Sequence, residues 1–207
     1  MKILPSLPDD PQLSDVFKHF PHAVAPLLDY HDRLLRDPSP LTVAERELIA
    51  AFVSGLNSCD FCHGAHVIAA RAYGIDEAVF DQLMADLENA PIDPRLKPIL
   101  NYVEKLTRAP GKIRTEDAEK IYAAGWDERA LFDAVSVCAL FNMMNRIVMG
   151  SGIFSDPRLR SAEEVEARLK RMGRPGDDPH RADRTYGKLI QLWGLDSPID
   201  SVPASQE

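Results

Sequence analysis

Apolar residues recur at three- to four-residue intervals through most of the chain, and short alternating runs of the strand type are nearly absent. That period belongs to helices, so the pattern predicts an all-α protein. Punctuation divides the helices from one another. Thr42-Val43-Ala44-Glu45 has the form of a capping box, which starts a helix running to about Leu56. Asn57 and Ser58 then break and recap the chain. A second helix follows from about Cys59 to Tyr73, with Gly74 as its C-terminal cap. Asp76 opens the next, through Leu87, and another spans about Pro94 to Arg108 before Ala109-Pro110-Gly111 closes it. Thr115 caps a short helix that stops at Gly125. Asp127 opens a long apolar helix through Met149, ending at Gly150.

A second capping box, Ser161-Ala162-Glu163-Glu164, predicts a helix to Gly173, and Arg174 to Pro179 reads as a turn or linker. A last amphipathic helix, about Arg181 to Leu195, carries Tyr186, Leu189, Ile190, Leu192 and Trp193. That stripe suits docking on the same core or on another subunit. The proline-rich start, to about Pro11, is expected to be an extended arm, and the residues from Asp196 onward to be frayed. No internal repeat points to a solenoid. The expectation is one domain over residues 1–207, with its core at about 20–155 and a C-terminal helical extension at about 156–195.

Composition narrows the partners. With 207 residues, 45% of them hydrophobic, the chain can bury a sizeable core. Its net charge of -8 would be repelled by a phosphate backbone, so no nucleic-acid partner is expected. Arg168, Lys170, Arg171 and Arg174 form a local basic group that reads as the charged end of a helix. No stretch approaches a membrane span, and the start carries no signal-like apolar run, so no membrane partner is expected either. The 3 cysteines then imply a reducing, cytoplasmic setting. There a Cys-x-x-Cys pair is more often catalytic or metal-binding than a permanent staple.

The chemistry concentrates in Ser58-Cys59-Asp60-Phe61-Cys62-His63-Gly64-Ala65-His66. Helical spacings of three and four put Cys59, Cys62 and His66 on one face, two thiols and a base. Glu47 lies ten residues before the break at Asn57 and His66 nine after it. If the two helices pack antiparallel, these residues face each other. A chain Glu47–His66–Cys62 follows, in which the carboxylate orients the imidazole and the imidazole draws the thiol proton. Both cysteines also sit in the first turns of their helix, where the dipole favours a thiolate.

At these residues the sequence resembles the alkylhydroperoxidase AhpD-like group of the carboxymuconolactone decarboxylase superfamily. The motif is Glu47, eleven intervening residues, then Cys59-x-x-Cys62-x-x-x-His66. Leu140-Phe141-Asn142-Met143-Met144-Asn145-Arg146 resembles a helix motif of the peroxidase-related branch. The resemblance implies an all-helical fold, a homo-oligomer, and reduction of a hydroperoxide substrate through a Cys59–Cys62 dithiol/disulfide cycle. It implies Cys62 as the peroxidatic cysteine, Cys59 as the resolving cysteine, and Glu47 and His66 as proton-relay residues. It also implies a dithiol or thioredoxin-like reductant, and no cofactor or resident metal. One departure is visible: Phe61 stands where the AhpD pattern often has a histidine, so a relay step is missing or is supplied by water or by His63.

Plainer readings stand beside these. The two cysteines could be small buried residues of a hairpin. Thiolates, imidazole and carboxylate are also zinc ligands, although no second cysteine pair exists. His63 reads as a surface or interface residue, and Cys138 as core. Phe132, Val135, Leu140, Phe141, Met144 and Val148 read as a core or subunit stripe. Asn142 and Arg146 are candidates for closing a pocket or pairing at an interface, and Tyr30 and His31 for lining its mouth. The competing functions are a decarboxylase-like or disulfide-exchange enzyme of the same superfamily, and a helical binding protein that uses the pair as a redox switch or metal clip.

Overall fold

A computed structural model describes residues 2–154, 163, 165–167 and 178–195, and among them every regular element is a helix. In chain order these are α1 (Leu13–His19), α2 (Val24–Arg36), α3 (Val43–Leu56), α4 (Asp60–Ala72), α5 (Ala78–Ala85), α6 (Lys97–Arg108), α7 (Thr115–Ala123), α8 (Glu128–Gly150) and α9 (Tyr186–Trp193). Single 3-10 turns occupy Leu87–Asn89, Pro94–Leu96 and Pro110–Lys112. The predicted helix from Ser161 to Gly173, its basic end, most of the linker after it and the residues from Asp196 fall outside the described residues, apart from positions 163, 165–167, 178 and 179.

The box at Thr42 forms as a reciprocal pair. Glu45 N donates to Thr42 Oγ1 at 3.1 Å and Thr42 N donates to Glu45 Oε2 at 2.7 Å. Behind it, α3 is apolar around most of its circumference, and Leu48 through Val53 are consecutively buried. A helix of that kind belongs in the middle of a fold. Helices α2, α4, α5, α6 and α8 all pack against it. The connection to α4 is tight: Asn57 N, Ser58 N and Cys59 N donate to the carbonyls of Val53, Gly55 and Ser54. The chain therefore reverses within three residues, with Ser58 at φ 56°, and lays α4 back along α3. Gly74, at φ 99°, ends α4 where a side chain would be strained.

Several boundaries move for local reasons. The helix expected from Asp76 to Leu87 stops at Ala85, because the Asp86 carboxylate accepts from Glu88 N and Asn89 N and starts a separate turn. Thr115 is the first helical residue, not the cap; the Asp117 carboxylate takes the N–H of Arg114 before it. Helices α1 and α2 were not legible in the pattern. The buried face of α2 includes His31, Asp32 and Arg36 beside Val24, Leu28 and Leu35, so it does not read as an apolar stripe. The stripe on α8 divides: Leu140, Phe141, Met144 and Val148 are buried, whereas Phe132 is exposed.

By length and composition α8 could cross a membrane, contrary to the expectation from the sequence. Half of its apolar window is buried inside the fold, and it packs on α2, α3, α4, α6 and α7, which is the situation of a core helix.

The C-terminal segment returns to α2 of the same chain. Asp32 is buried and accepts from the backbone N–H groups of Thr185, Tyr186 and Gly187, so a carboxylate from α2 satisfies the open N-terminus of α9. This is why α9 begins at Tyr186 and not near Arg181. Arg46 adds a second tie, donating to the carbonyls of Leu34, Asp37 and His180 at 2.8 Å each. The Asp32→Ala variant should lose about 1–2 kcal/mol in urea unfolding, and hydrogen exchange should accelerate across Tyr186–Trp193. Unchanged exchange in that helix would remove the anchoring role of Asp32.

Candidate active site

Two buried polar clusters form where α2, α3, α4 and α8 meet. The first is built on Glu47 of α3, which is fully buried. Because α4 runs back along α3, His66 comes opposite it and His66 Nδ1 lies 2.6 Å from Glu47 Oε2. The other carboxylate oxygen is 2.5 Å from Arg36 Nη2 of α2. No N–H of Arg36 aims squarely at Oε1, so this contact acts as a charge pair more than as a directed hydrogen bond. Burial alone would raise the Glu47 pKa. The Arg36 charge, followed by His66, overrides it and brings the value down to about 2. Arg36 is itself buried and lies 5.5 Å from the Tyr73 ring and 5.7 Å from the Tyr186 ring, so its charge is shared with two aromatic faces.

With Nδ1–H donated to the carboxylate, His66 is left with Nε2 as its proton-handling end. Its ring meets Phe141 edge-on at 4.3 Å. His31 sits nearby, with Nδ1–H donated to Leu27 O at 2.7 Å and its ring 5.0 Å from that of Tyr186. Burial lowers the His31 pKa to about 4, so it is neutral at pH 7. Tyr30, by contrast, is exposed.

The second cluster holds the sulfurs. Cys59 is the N-cap of α4 and Cys62 lies in its first turn. Both are free thiols, 1% and 4% exposed. The Cys62 side chain hydrogen-bonds to Cys59, and this is the largest influence on Cys59. Burial opposes ionisation, while the Cys62 backbone N–H and the Asn145 side chain favour it, and Cys59 comes down to about 7. Cys62 moves the other way, raised first by that same hydrogen bond and then by burial. That shared interaction therefore moves the two thiols in opposite directions.

The two clusters are not hydrogen-bonded to each other. His66 bonds to Glu47 but to neither sulfur, so the expected chain Glu47–His66–Cys62 is closed between its first two members only. His63 points elsewhere, its Nδ1 2.9 Å from Ala51 O. Cys138 is buried against Val103 O and Thr107. Asn142 and Arg146 bond to each other along α8. Among the described residues no group of three or more His, Cys, Asp or Glu side chains could hold a metal ion. Sequence reasoning missed Arg36 and Asn145. Nothing in the pattern marks Arg36, whereas Asn145 could have been found as an amide among the apolar residues of α8.

The carboxymuconolactone decarboxylase family model matches residues 21–105, the stretch that contains Arg36, Glu47, both cysteines of the pair and His66. An uncharacterized protein of Bacillus subtilis (strain 168), YdfG, is 31% identical over 114 residues, which covers 55% of this chain and 78% of that protein. The chain belongs to the carboxymuconolactone decarboxylase family. The fold of this family member is also found in a Ralstonia eutropha JMP134 protein described as an alkylhydroperoxidase AhpD core and uncharacterized peroxidase-related protein. That match has a TM-score of 0.65 and 27% identity, over 70% of this chain and 76% of the other. An uncharacterized peroxidase-related protein of Silicibacter sp. TM1040 gives 0.63 and 26%, over 77% and 94%. A putative antioxidant defence protein AhpD of Agrobacterium tumefaciens shares the fold at a TM-score of 0.61 and 20% identity, over 69% and 96%. The family member is therefore all-α and AhpD-like in architecture.

The buried charges of this family member set its acid sensitivity. Unfolded, His31 takes up a proton near its ordinary value of 6.5; folded, it resists until about 4. The unfolded chain binds more protons in that window, so stability falls as pH drops through it. Glu47 acts in the same direction lower down, between its ordinary 4.5 and about 2, because its carboxylate is needed by the fold. Urea unfolding should show a loss of up to about 3 kcal/mol between the two His31 values. The His31→Gln variant should flatten that part of the profile and keep the lower limb. A His31→Gln profile superimposable on the wild type would overturn the assignment.

Proposed function

We propose that this protein is a thiol-dependent peroxidase, an oxidoreductase that reduces hydroperoxides through a Cys59–Cys62 dithiol/disulfide cycle with Glu47 and His66 as proton relay. The observation that carries the reading is two free, buried thiols in the first turn of α4, on the same helix as the imidazole of a buried carboxylate–imidazole pair. The likeness to structures described as peroxidase-related supports it.

In the first step a thiolate attacks the outer oxygen of the hydroperoxide. The O–O bond breaks, the sulfur becomes a sulfenic acid, and the remaining oxygen leaves as an alcohol once protonated. The second thiol condenses with the sulfenic acid, releasing water and forming the disulfide. A dithiol or thioredoxin-like reductant restores both thiols. The hydrogen-bond order favours Cys59 as attacker and Cys62 as resolver, the reverse of the roles carried by the resemblance; the disulfide is the same either way. His66 makes no bond to a sulfur, so it suits protonation of the leaving oxygen better than removal of the thiol proton. Glu47 orients the ring and supports its positive form. A reducing compartment such as the cytoplasm would keep the pair as thiols between turnovers. Exposed Phe132 and Met143 on α8 support self-association.

A second reading has one observation in its favour: the Arg36–Glu47–His66 cluster is complete without a sulfur. That suits general acid–base chemistry of the decarboxylase kind, and turnover of a γ-carboxymuconolactone by the Cys59→Ser/Cys62→Ser protein would establish it.

The peroxidase reading is tested by peroxide consumption with a dithiol reductant. Either single serine variant should abolish turnover, and His66→Asn should slow it by roughly a hundred-fold or more. Stoichiometric peroxide should convert the pair to one disulfide by mass spectrometry, with Cys138 still reduced. In Cys62→Ser, a sulfenic-acid trap should label Cys59. Full turnover by the double serine variant would refute the cycle.

A further inference from the structure

We propose that Tyr186, at the start of α9, is a positioning residue that holds the Arg36 guanidinium on the Glu47 carboxylate, so that the C-terminal segment completes the buried charge cluster. The inference rests on the reading of Glu47 and His66 as the working proton pair. It concerns a part of the chain beyond the stretch matched by the family model.

The argument starts from what does not hold Arg36. A guanidinium carries five N–H donors in a fixed plane. Arg36 is 1% exposed, yet among the described residues the directed hydrogen bond from its side chain goes to Leu35 O, at 3.1 Å. Its Nε is buried with no hydrogen-bond partner, and Nη2 meets Glu47 Oε1 as a charge pair. Hydrogen bonds therefore leave the group loosely fixed. Two aromatic rings stand against it instead, with Cζ 5.5 Å from the centre of the Tyr73 ring and 5.7 Å from that of Tyr186. Tyr73 comes with α4, which is already laid along α3. Tyr186 comes from the far end of the chain.

The C-terminal segment is fitted to this one residue. Asp32 and Arg36 lie one turn apart on α2, on the same face. The Asp32 carboxylate accepts from Thr185 N at 2.9 Å, from Tyr186 N at 3.0 Å and from Gly187 N. A Cβ at position 187 would lie 3.1 Å from Asp32 Oδ2, so glycine suits this close seat. The backbone of Tyr186 is thus fixed one turn from Arg36, and its ring reaches the guanidinium. Ala182 N donates to Arg36 O at 3.2 Å, so the same stretch also holds the Arg36 main chain. Arg184 Nη2 pairs with Asp37, the next residue, at 3.0 Å. The Tyr186 ring also lies 5.0 Å from that of His31, which limits its own freedom.

Removing the ring would let water reach one side of the guanidinium, and a cation gains by turning toward water. Glu47 would feel the loss first. Burial presses its carboxyl up, and the Arg36 charge leads the influences that bring it down to about 2. A carboxylate deprived of that charge is a poorer anchor for the His66 ring.

The test follows the Arg36 Nε–H signal by proton–nitrogen NMR on the full chain, which needs no substrate. In the wild type this hydrogen should exchange slowly with water. In Tyr186→Met, which fills space without a π-face, exchange should quicken about ten-fold or more. Tyr186→Phe keeps the ring and should behave as the wild type. Trp193→Leu, at the other end of α9, removes the edge contact with Phe17 and should cost stability without moving the Arg36 signal. If Tyr186 only fastened the helix, Tyr186→Met and Trp193→Leu would lose thermal stability alike and leave Arg36 exchange unchanged. That result overturns the proposal, and so does a Tyr186→Phe protein that behaves like Tyr186→Met. Should Tyr186→Met not fold, the wild type decides it in sub-denaturing urea. Arg36 protection should be lost together with that of the α9 amides, and protection that outlasts their opening overturns the proposal. In a peroxide-consumption assay, Tyr186→Met should lose roughly ten-fold in kcat and Tyr186→Phe should keep it. A wild type that consumes no peroxide would end the peroxidase reading, while the NMR result would still decide the role of Tyr186.

Discussion

The buried carboxylate of Glu47 is the constraint on which the interior depends. A charge at zero exposure is tolerated only when partners replace the water it has lost. Here the partners come from two other helices, Arg36 of α2 and His66 of α4, on either oxygen of the same group. Removing one would leave an uncompensated charge in the core, so α2, α3 and α4 are held in one register by chemistry as well as by packing. Such a pair is weak as a source of net stability, because desolvation offsets much of the attraction. Its value lies in specifying an arrangement, and that arrangement holds the His66 ring with Nδ1 on the carboxylate.

The sulfur site is built on a different principle. Its cysteines gain no nearby cation; they sit at a helix start and among neutral donors. The sharing of one hydrogen bond between them splits their acidities, pulling Cys59 down and pushing Cys62 up. The imidazole is hydrogen-bonded to Glu47 and to neither sulfur.

The C-terminal helix belongs to this picture through Tyr186. Asp32 fastens the start of α9, and the Tyr186 ring then lies beside Arg36 and His31. A segment distant in sequence so forms part of the wall behind Glu47, and it helps keep water from the buried charges.

Local pattern sufficed for whatever depends on neighbours in sequence. The all-helical class follows from the apolar period, and the α3 start from Thr42 and Glu45 alone. The approach of Glu47 and His66 follows from their nearly equal offsets from Asn57 once a tight reversal is assumed. Helix α2 was hidden because its inward face carries Asp32, His31 and Arg36, polar groups whose burial makes sense only when Glu47 and the N-terminus of α9 are in place. The acidity order of the two cysteines, the separation of His66 from them and the orientation of Asn145 were likewise invisible. Asn145 and Ser54 are 91 positions apart, and the direction of the Asn145 amide is decided by carbonyls on two different helices. Periodicity carries information about one helix and its surface; hydrogen-bond direction and desolvation arise only when several helices close around the same atoms.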